Sequence, residues 1–180
     1  MTGDLADRAR RVRLLLFDVD GVLTDGKILL HSDGSESKTF DIRDGTGIVL
    51  AQRAGLRTGL LSARQSASTA ERAAQLRIPI VHQGAVDKLE TLGRILEAEG
   101  LTAEEVAYMG DDLLDLPVLL RVGIGAAPAD AMPEVLARAG WVSARRGGDG
   151  AVRELVEMVL KVQGLWNGLI AQWAETPSPA

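Results

Sequence analysis

Short apolar runs alternate with segments of helical spacing along almost the whole chain, and that alternation leaves few folds open. The runs at 14–17, 58–61, 80–82, 106–109, 122–125 and 141–142 read as strands, being rich in Leu, Val and Ile and too short for helices. Helical patterns lie between and after them at 47–54, 68–76, 88–99, 113–120, 132–139 and 152–162. Two start signals of the capping-box type stand out, Ser68-Thr69-Ala70-Glu71 and Thr102-Ala103-Glu104-Glu105, the second heading only a short turn. Strands that alternate with helices pair in parallel through right-handed crossovers, which places helices on both faces of the sheet. The expected fold class is α/β, a doubly wound, Rossmann-like parallel sheet. With aromatic residues at only 3%, its core must be built from Leu, Val, Ile and Ala, which suits strands buried on both faces.

The length of 180 residues suits one domain with one core, so a single domain is expected over 1–180. Residues 26–42 break the rhythm: two short extended pieces flank the turn signal Ser32-Asp33-Gly34, which predicts an inserted β-hairpin just after the first strand. Toward the end, a helical tail over about 152–174 carries the apolar stripe Leu165, Trp166, Leu169, Ile170 and Trp173, a docking face for its own domain or a neighbour. The last five residues, Thr176 to Ala180, have no pattern and are expected to be mobile.

Composition excludes several function classes. A net charge of -5 opposes a general nucleic-acid surface, since phosphate backbones are held by concentrated Lys and Arg. No Cys is present, which rules out disulfides, thiolate catalysis and thiolate zinc sites. No apolar stretch has membrane-spanning length and the first eleven residues lack the apolar core of a signal peptide, so a cytoplasmic location is expected.

The chemistry begins at Asp18 and Asp20, where the first apolar run ends. Side chains at i and i+2 of an extended segment point the same way, so both carboxylates are expected to meet one ligand beyond the strand's carboxyl end, a divalent metal with a phosphate. An acidic turn that caps a helix or binds a structural cation is the plainer alternative. His31, beside the hairpin turn, and His82, at a strand end, lack partners at metal-ligand spacing and read as surface or packing residues.

The segment Asp18-Val19-Asp20-Gly21-Val22-Leu23-Thr24-Asp25 resembles the first motif of the haloacid dehalogenase superfamily of phosphotransferases. By that resemblance Asp18 would attack phosphorus, and Asp20 would protonate the leaving oxygen and then activate water. Gly110-Asp111-Asp112-Leu113-Leu114-Asp115 resembles the fourth motif, which implies that Asp111 joins Asp18 and the backbone carbonyl of Asp20 around Mg²⁺, with Asp112 and Asp115 supporting them from behind. Ser62 fits the second motif, holding phosphoryl oxygens with its hydroxyl and the N–H of Ala63, and Lys88 fits the third, a cation that offsets the charge. Taken singly, a Ser after a strand is a cap and a Lys at a helix start is solvated; four motifs in one order argue otherwise.

Within the superfamily, the chain resembles the 3-deoxy-D-manno-octulosonate 8-phosphate phosphatase family, which carries a hairpin in place of a cap domain. The supporting stretches are Phe40 to Gly47, Gln83-Gly84 before Asp87-Lys88-Leu89, Gly110 to Pro117 and Gly147 to Glu154. The resemblance implies hydrolysis of an eight-carbon sugar-acid phosphate in lipopolysaccharide precursor synthesis, Mg²⁺ as cofactor and a homotetramer. Arg43 and Arg64 are candidates for the substrate's carboxylate or hydroxyls, or else surface ion-pair partners. One departure is Ser62-Ala63-Arg64, where the family usually has Thr-Gly-Arg: Ala63 does not readily take a positive φ, so a loop that relied on glycine there must differ. Two other readings stay open, a nonulosonate 9-phosphate phosphatase and a non-catalytic tetramerising module associated with a cytidylyltransferase.

Overall fold

The computed structural model describes residues 3–175. The chain runs through α1 (Gly3–Arg11), β1 (Leu14–Phe17), a hairpin of β2 (Leu29–Leu30) and β3 (Glu36–Ser37), α2 (Ile42–Arg53), β4 (Arg57–Leu61), α3 (Ala67–Gln75), β5 (Ile80–His82) and α4 (Lys88–Glu99). It continues through β6 (Val106–Met109), α5 (Leu116–Leu119), β7 (Ile124–Ala127), α6 (Pro133–Leu136), β8 (Trp141–Val142), α7 (Ala151–Val162) and α8 (Trp166–Glu175). Six strands form one parallel sheet in the order β5-β4-β1-β6-β7-β8. After β1 the chain builds outward through β4 and β5, then returns to the other side of β1 for β6, so the switch in direction falls beside β1. Ligands of open α/β sheets bind at such a switch, beyond the strands' carboxyl ends.

Burial explains why β1 sits in the middle. Its four residues are fully buried, Leu15 and Phe17 in the core under α1, α2 and α7, Leu14 and Leu16 in the core under α4 and α5. A run apolar on both faces is stable only where helices cover both. Among the described residues no helix is long and apolar enough to cross a membrane.

Several boundaries differ from the expectation, each for a local reason. Helix α1 was not anticipated, because it buries little beyond Leu5 and Ala9 at i, i+4 and is otherwise a charged surface with the pair Arg8–Asp4 at 2.8 Å. Helix α2 starts at Ile42 rather than 47: Asp41 caps it, its carboxylate accepting from the Arg43 N–H at 2.5 Å, and the poor helix formers Gly45 and Gly47 hide the pattern. Ser66, not Ser68, caps α3 by accepting from the Thr69 N–H at 3.4 Å. Ser68 instead donates its hydroxyl hydrogen to the Glu36 carbonyl of the hairpin at 3.3 Å. Strand β7 lies two residues later than expected, and the helix foreseen at 113–120 is a 3₁₀ turn, Leu113–Asp115, followed by one turn of α5 around Pro117. The Thr102 capping box does head a short 3₁₀ turn, Ala103–Glu105.

The hairpin pairs as foreseen, Leu29 with Ser37 and Leu30 with Glu36, around a turn closed by the His31 N–H to the Ser35 carbonyl at 2.9 Å. His31 spends its ring on the Ser37 hydroxyl at 2.9 Å, a surface contact. Trp166 packs on the main core, with the Arg153 and Lys161 cations 5.3 and 5.1 Å from its ring centre. The side chain of Trp173 and residues 176–180 lie outside the described residues.

One buried carboxyl joins two of the helices that cover β1, α2 and α7. Asp44, in the first turn of α2, accepts from the backbone N–H groups of Gly150 at 3.2 Å and Arg153 at 2.8 Å, capping α7 from a neighbouring helix. Burial pushes its pKa up to about 6 against the pull of those two amides. Asp44→Ala leaves the buried Gly150 N–H and the part-buried Arg153 N–H unpaired, a cost of about 2–3 kcal/mol. Thermal melts should then fall by roughly 5–10 °C; a shift within a degree of wild type would deny the cap its role.

Candidate active site

The tips of β1, β4 and β6 and the start of α4 surround a cavity of about 250 Å³, and Asp18, Asp20, Ser62, Ala63, Lys88 and Asp111 all line it. Asp18 extends the ladder by one residue, its N–H donating to the Met109 carbonyl at 2.9 Å. Asp20 already belongs to a turn, so strand alternation is not what turns it toward the cavity. Thr24 shapes that turn: fully buried, its hydroxyl oxygen accepts from the Gly21 and Gly26 N–H groups at 3.3 and 3.2 Å. Gly21, at φ +85°, is required there, since a Cβ would stand 2.1 Å from an Asp111 carboxylate oxygen. The loop that carries Gly147 packs behind the same turn, where a Cβ at Gly147 would meet the Gly21 carbonyl. Those glycines serve close approach of two backbones, with the Gly148 N–H donating to the Val22 carbonyl at 2.9 Å.

Lys88 opens α4 yet is buried, so it is not a solvated helix-start lysine. Its ammonium lies 2.9 Å from Asp18 Oδ2 and donates to Asp115 Oδ1 at 2.5 Å and the Tyr108 hydroxyl at 3.3 Å. Asp115 is fully buried and saturated: Oδ1 accepts from Lys88 and Tyr108, and Oδ2 accepts from the N–H groups of Asp111 and Asp112 at 2.8 and 3.1 Å. It therefore orients the loop that carries Asp111 and has no lone pair to spare. Asp112, at the mouth, accepts from its neighbour's N–H at 2.6 Å.

The electrostatics are those of crowded carboxyls. Burial, then the Asp115 charge, pushes Asp18 up to about 7, with Lys88 opposing. Burial and the charges of Asp18, Asp115 and Asp112 push Asp111 up to about 8. Lys88 is raised: burial works against its charge, but Asp18 and Asp115 outweigh it. Tyr108, wholly buried beside Asp115, is driven well above its usual value and stays a donor.

Such a site suits a hard cation. Oxygens of Asp18, Asp111 and Asp115 lie within 4.8 Å of one another, and Asp111 Oδ1 is buried without a hydrogen-bond partner. With Asp115 saturated, the carboxylate oxygens of this cluster left to coordinate are those of Asp18 and Asp111.

Of the two candidate substrate arginines, only Arg64 reaches this cavity. Arg43 lines a separate one, and its guanidinium is spent on Asp41 at 2.7 Å and Asp149 at 2.5 Å, because the first turn of α2 aims it along the surface. Arg64 pairs with Glu36 of the hairpin at 2.8 Å and lies 3.6 Å from Asp20. Ala63 causes no strain: Arg77 is the non-glycine residue with positive φ among those described. His82 does not line the cavity. Glu36, Lys38 and Tyr108 were missed in the sequence. Tyr108 had a signal, being the chain's one tyrosine in an otherwise apolar strand and needing a partner for its hydroxyl.

Comparison with known proteins accords with this geometry. Residues 51–155 match the haloacid dehalogenase-like hydrolase family. The 3-deoxy-D-manno-octulosonate 8-phosphate phosphatase of Escherichia coli strain K12 is 40% identical over 164 residues, 91% of this chain and 87% of that protein. This chain belongs to the 3-deoxy-D-manno-octulosonate 8-phosphate phosphatase family. The phosphatase of that name from Moraxella catarrhalis, solved with magnesium, phosphate and the sugar acid, superposes with a TM-score of 0.93 at 33% identity, over 96% of this chain and 99% of that one. A probable YrbI family phosphatase from Pseudomonas syringae pv. phaseolica gives 0.95 at 42% identity, over 98% of this chain and 100% of that one. Like its relatives in the octulosonate phosphatase family, the chain is a phosphatase with a parallel α/β sheet and a hairpin insertion.

The raised carboxyls set a sign for pH. A folded pKa of about 7 or 8 means that the folded chain keeps protons that the unfolded chain gives up above about pH 4. The stabilisation that these two carboxyls give the metal-free chain is therefore fully present only below about pH 4 and is lost as pH rises toward 8. A divalent cation must displace those protons, so the melting temperature gained by adding Mg²⁺ over chelator should be larger at pH 8.5 than at pH 5.5. An equal gain at both would contradict the carboxyl site.

Proposed function

We propose that the chain hydrolyses 3-deoxy-D-manno-octulosonate 8-phosphate to the free sugar acid and phosphate through an aspartyl phosphate on Asp18. The observation that carries this is one cavity lined by a buried carboxylate, a second carboxyl group and a buried lysine, each from a different turn beyond the sheet. The names and bound groups of the relatives supply the sugar and the magnesium.

Asp18 Oδ attacks phosphorus as the ester P–O bond breaks, and Asp20 gives its proton to the departing sugar oxygen. Water then attacks the same phosphorus, its proton passing to the Asp20 carboxylate while the Asp18–phosphorus bond breaks, which restores both groups. Lys88 holds the nucleophile's carboxylate and offsets the charge brought by phosphate, and Ser62 and Ala63 face the transferring oxygens. Mg²⁺ held by Asp18, Asp111 and the Asp20 carbonyl would neutralise phosphoryl charge. Arg64 is the candidate for the sugar's carboxylate or hydroxyls.

The cavity is open at its rim, where Leu114 is 60% exposed, and the hairpin residues Leu29 and Leu30 are 62% and 73% exposed. Water must be restricted around a transferring phosphoryl group. A neighbouring copy laid against the hairpin in a cytoplasmic homotetramer would close it.

With Mg²⁺, phosphate release from the octulosonate ester should proceed with a kcat/KM well above that for a nine-carbon nonulosonate 9-phosphate, and Asp18→Asn should abolish release while the melting curve stays cooperative. A preference for the nine-carbon ester would reassign the substrate. No release from any ester, including an aryl phosphate, would favour a non-catalytic module.

A further inference from the structure

Lysines on a short exposed hairpin are ordinarily solvated charges that keep the edge from pairing. Lys38 is not: its side chain is 0% exposed, and its ammonium lies 2.7 Å from Asp20 Oδ1 and donates to Asp20 Oδ2 at 3.0 Å. A further contact reaches the buried Thr69 hydroxyl oxygen on α3 at 3.4 Å. An ammonium taken out of water costs more than one exposed pair returns, so its position needs a partner that is itself fixed and charged. Glu36, two residues earlier in the chain, is farther from Lys38 at 3.9 Å, and its other carboxylate oxygen pairs with Arg64. Arg64 in turn is 3.6 Å from Asp20, outside hydrogen-bond distance. Among these groups Lys38 is the one that grips Asp20.

We infer that Lys38 is a positioning residue for proton transfer: the hairpin reaches into the site through it and holds the Asp20 carboxyl facing the leaving oxygen. This rests on the reading of Asp20 as the proton donor. As the proton moves to the sugar oxygen, negative charge develops on a carboxylate already paired with a buried cation, so the benefit belongs to the step in which the ester bond breaks. The turn after β1 cannot supply that restraint alone. Thr24 ties down backbone N–H groups of the turn, and none of its hydrogen bonds involves the Asp20 side chain.

The signature is dependence on the leaving group. A sugar alcohol needs a proton to depart, whereas 4-nitrophenolate leaves without one. Since kcat/KM reports the steps through ester cleavage, Lys38→Met should lower it by about 100-fold on the octulosonate ester and by less than about 10-fold on 4-nitrophenyl phosphate. Ser68→Ala, which removes another hairpin tie without touching Asp20, should change both esters in proportion. Melting curves verify that each variant is folded; Lys38→Gln, which keeps a donor without the charge, takes the place of Lys38→Met should that protein not fold, with the same selective loss expected. Equal losses on the two esters in a folded Lys38 variant, or the selective loss appearing in Ser68→Ala, would overturn the assignment. A wild-type chain inactive on both esters would instead sink the reading beneath it, and the Lys38 assignment with it.

Discussion

A buried ammonium between two buried carboxylates is the contact on which the rest of the site depends. Lys88 sits 2.9 Å from Asp18 and 2.5 Å from Asp115, at the point where three strands end together. Without it, the carboxyls of Asp18, Asp111 and Asp115 would be a cluster of like charges in low dielectric, a state that chains avoid by unfolding locally or by taking up protons. Burial, with the charges of neighbouring carboxyls added, pushes the pKa values of Asp18 and Asp111 up despite Lys88, and a divalent metal would offset that excess of negative charge. Removing one partner from such a group costs far more than the group contributes when whole.

Asp115 and Tyr108 explain how Lys88 is held still. Tyr108 projects from the middle of β6 with its hydroxyl donating to Asp115 Oδ1 at 2.5 Å, so one apolar strand also supports a polar anchor. The other oxygen of Asp115 takes two backbone N–H groups of the Asp111 loop. Two motifs far apart in the chain are thereby made rigid by one carboxylate. The hairpin contributes in a parallel way on the opposite side: Glu36, Lys38, Asp20 and Arg64 form two positive and two negative groups in contact, which fasten a two-strand insertion to the sheet although its own strands pair over only two residues each.

The strand tips were legible because each is a short apolar run that ends in a polar residue, and a run buried on both faces carries its own signal in Leu, Val and Ile. Asp18 and Ser62 follow their runs directly, Asp111 comes one residue after its run and Lys88 opens the helix after its own, so order along the chain was enough to gather them. Helix boundaries were less legible: Gly45 and Gly47 inside α2 hide its first turns, and the cap of α3 is Ser66 while the nearby Ser68 is claimed by the hairpin. Arg43 had the right chemistry for a substrate carboxylate, yet the first turn of α2 directs it to Asp41 and Asp149. Lys38 and Glu36 were passed over, since nothing local distinguishes a buried lysine from a solvated one.

Local sequence by itself determined the order of strands and helices, the parallel sheet and the acidic and basic groups at the strand ends, because period, burial on both faces and the break from apolar to polar are properties of consecutive residues. Tertiary structure alone decided which charges are partners: that Lys88 joins Asp18 to Asp115, that Lys38 rather than Arg64 grips Asp20, and that Asp44 caps a helix begun a hundred residues later. A charge's partner depends on distance and dielectric in the folded chain, and neither is written in its neighbours along the sequence.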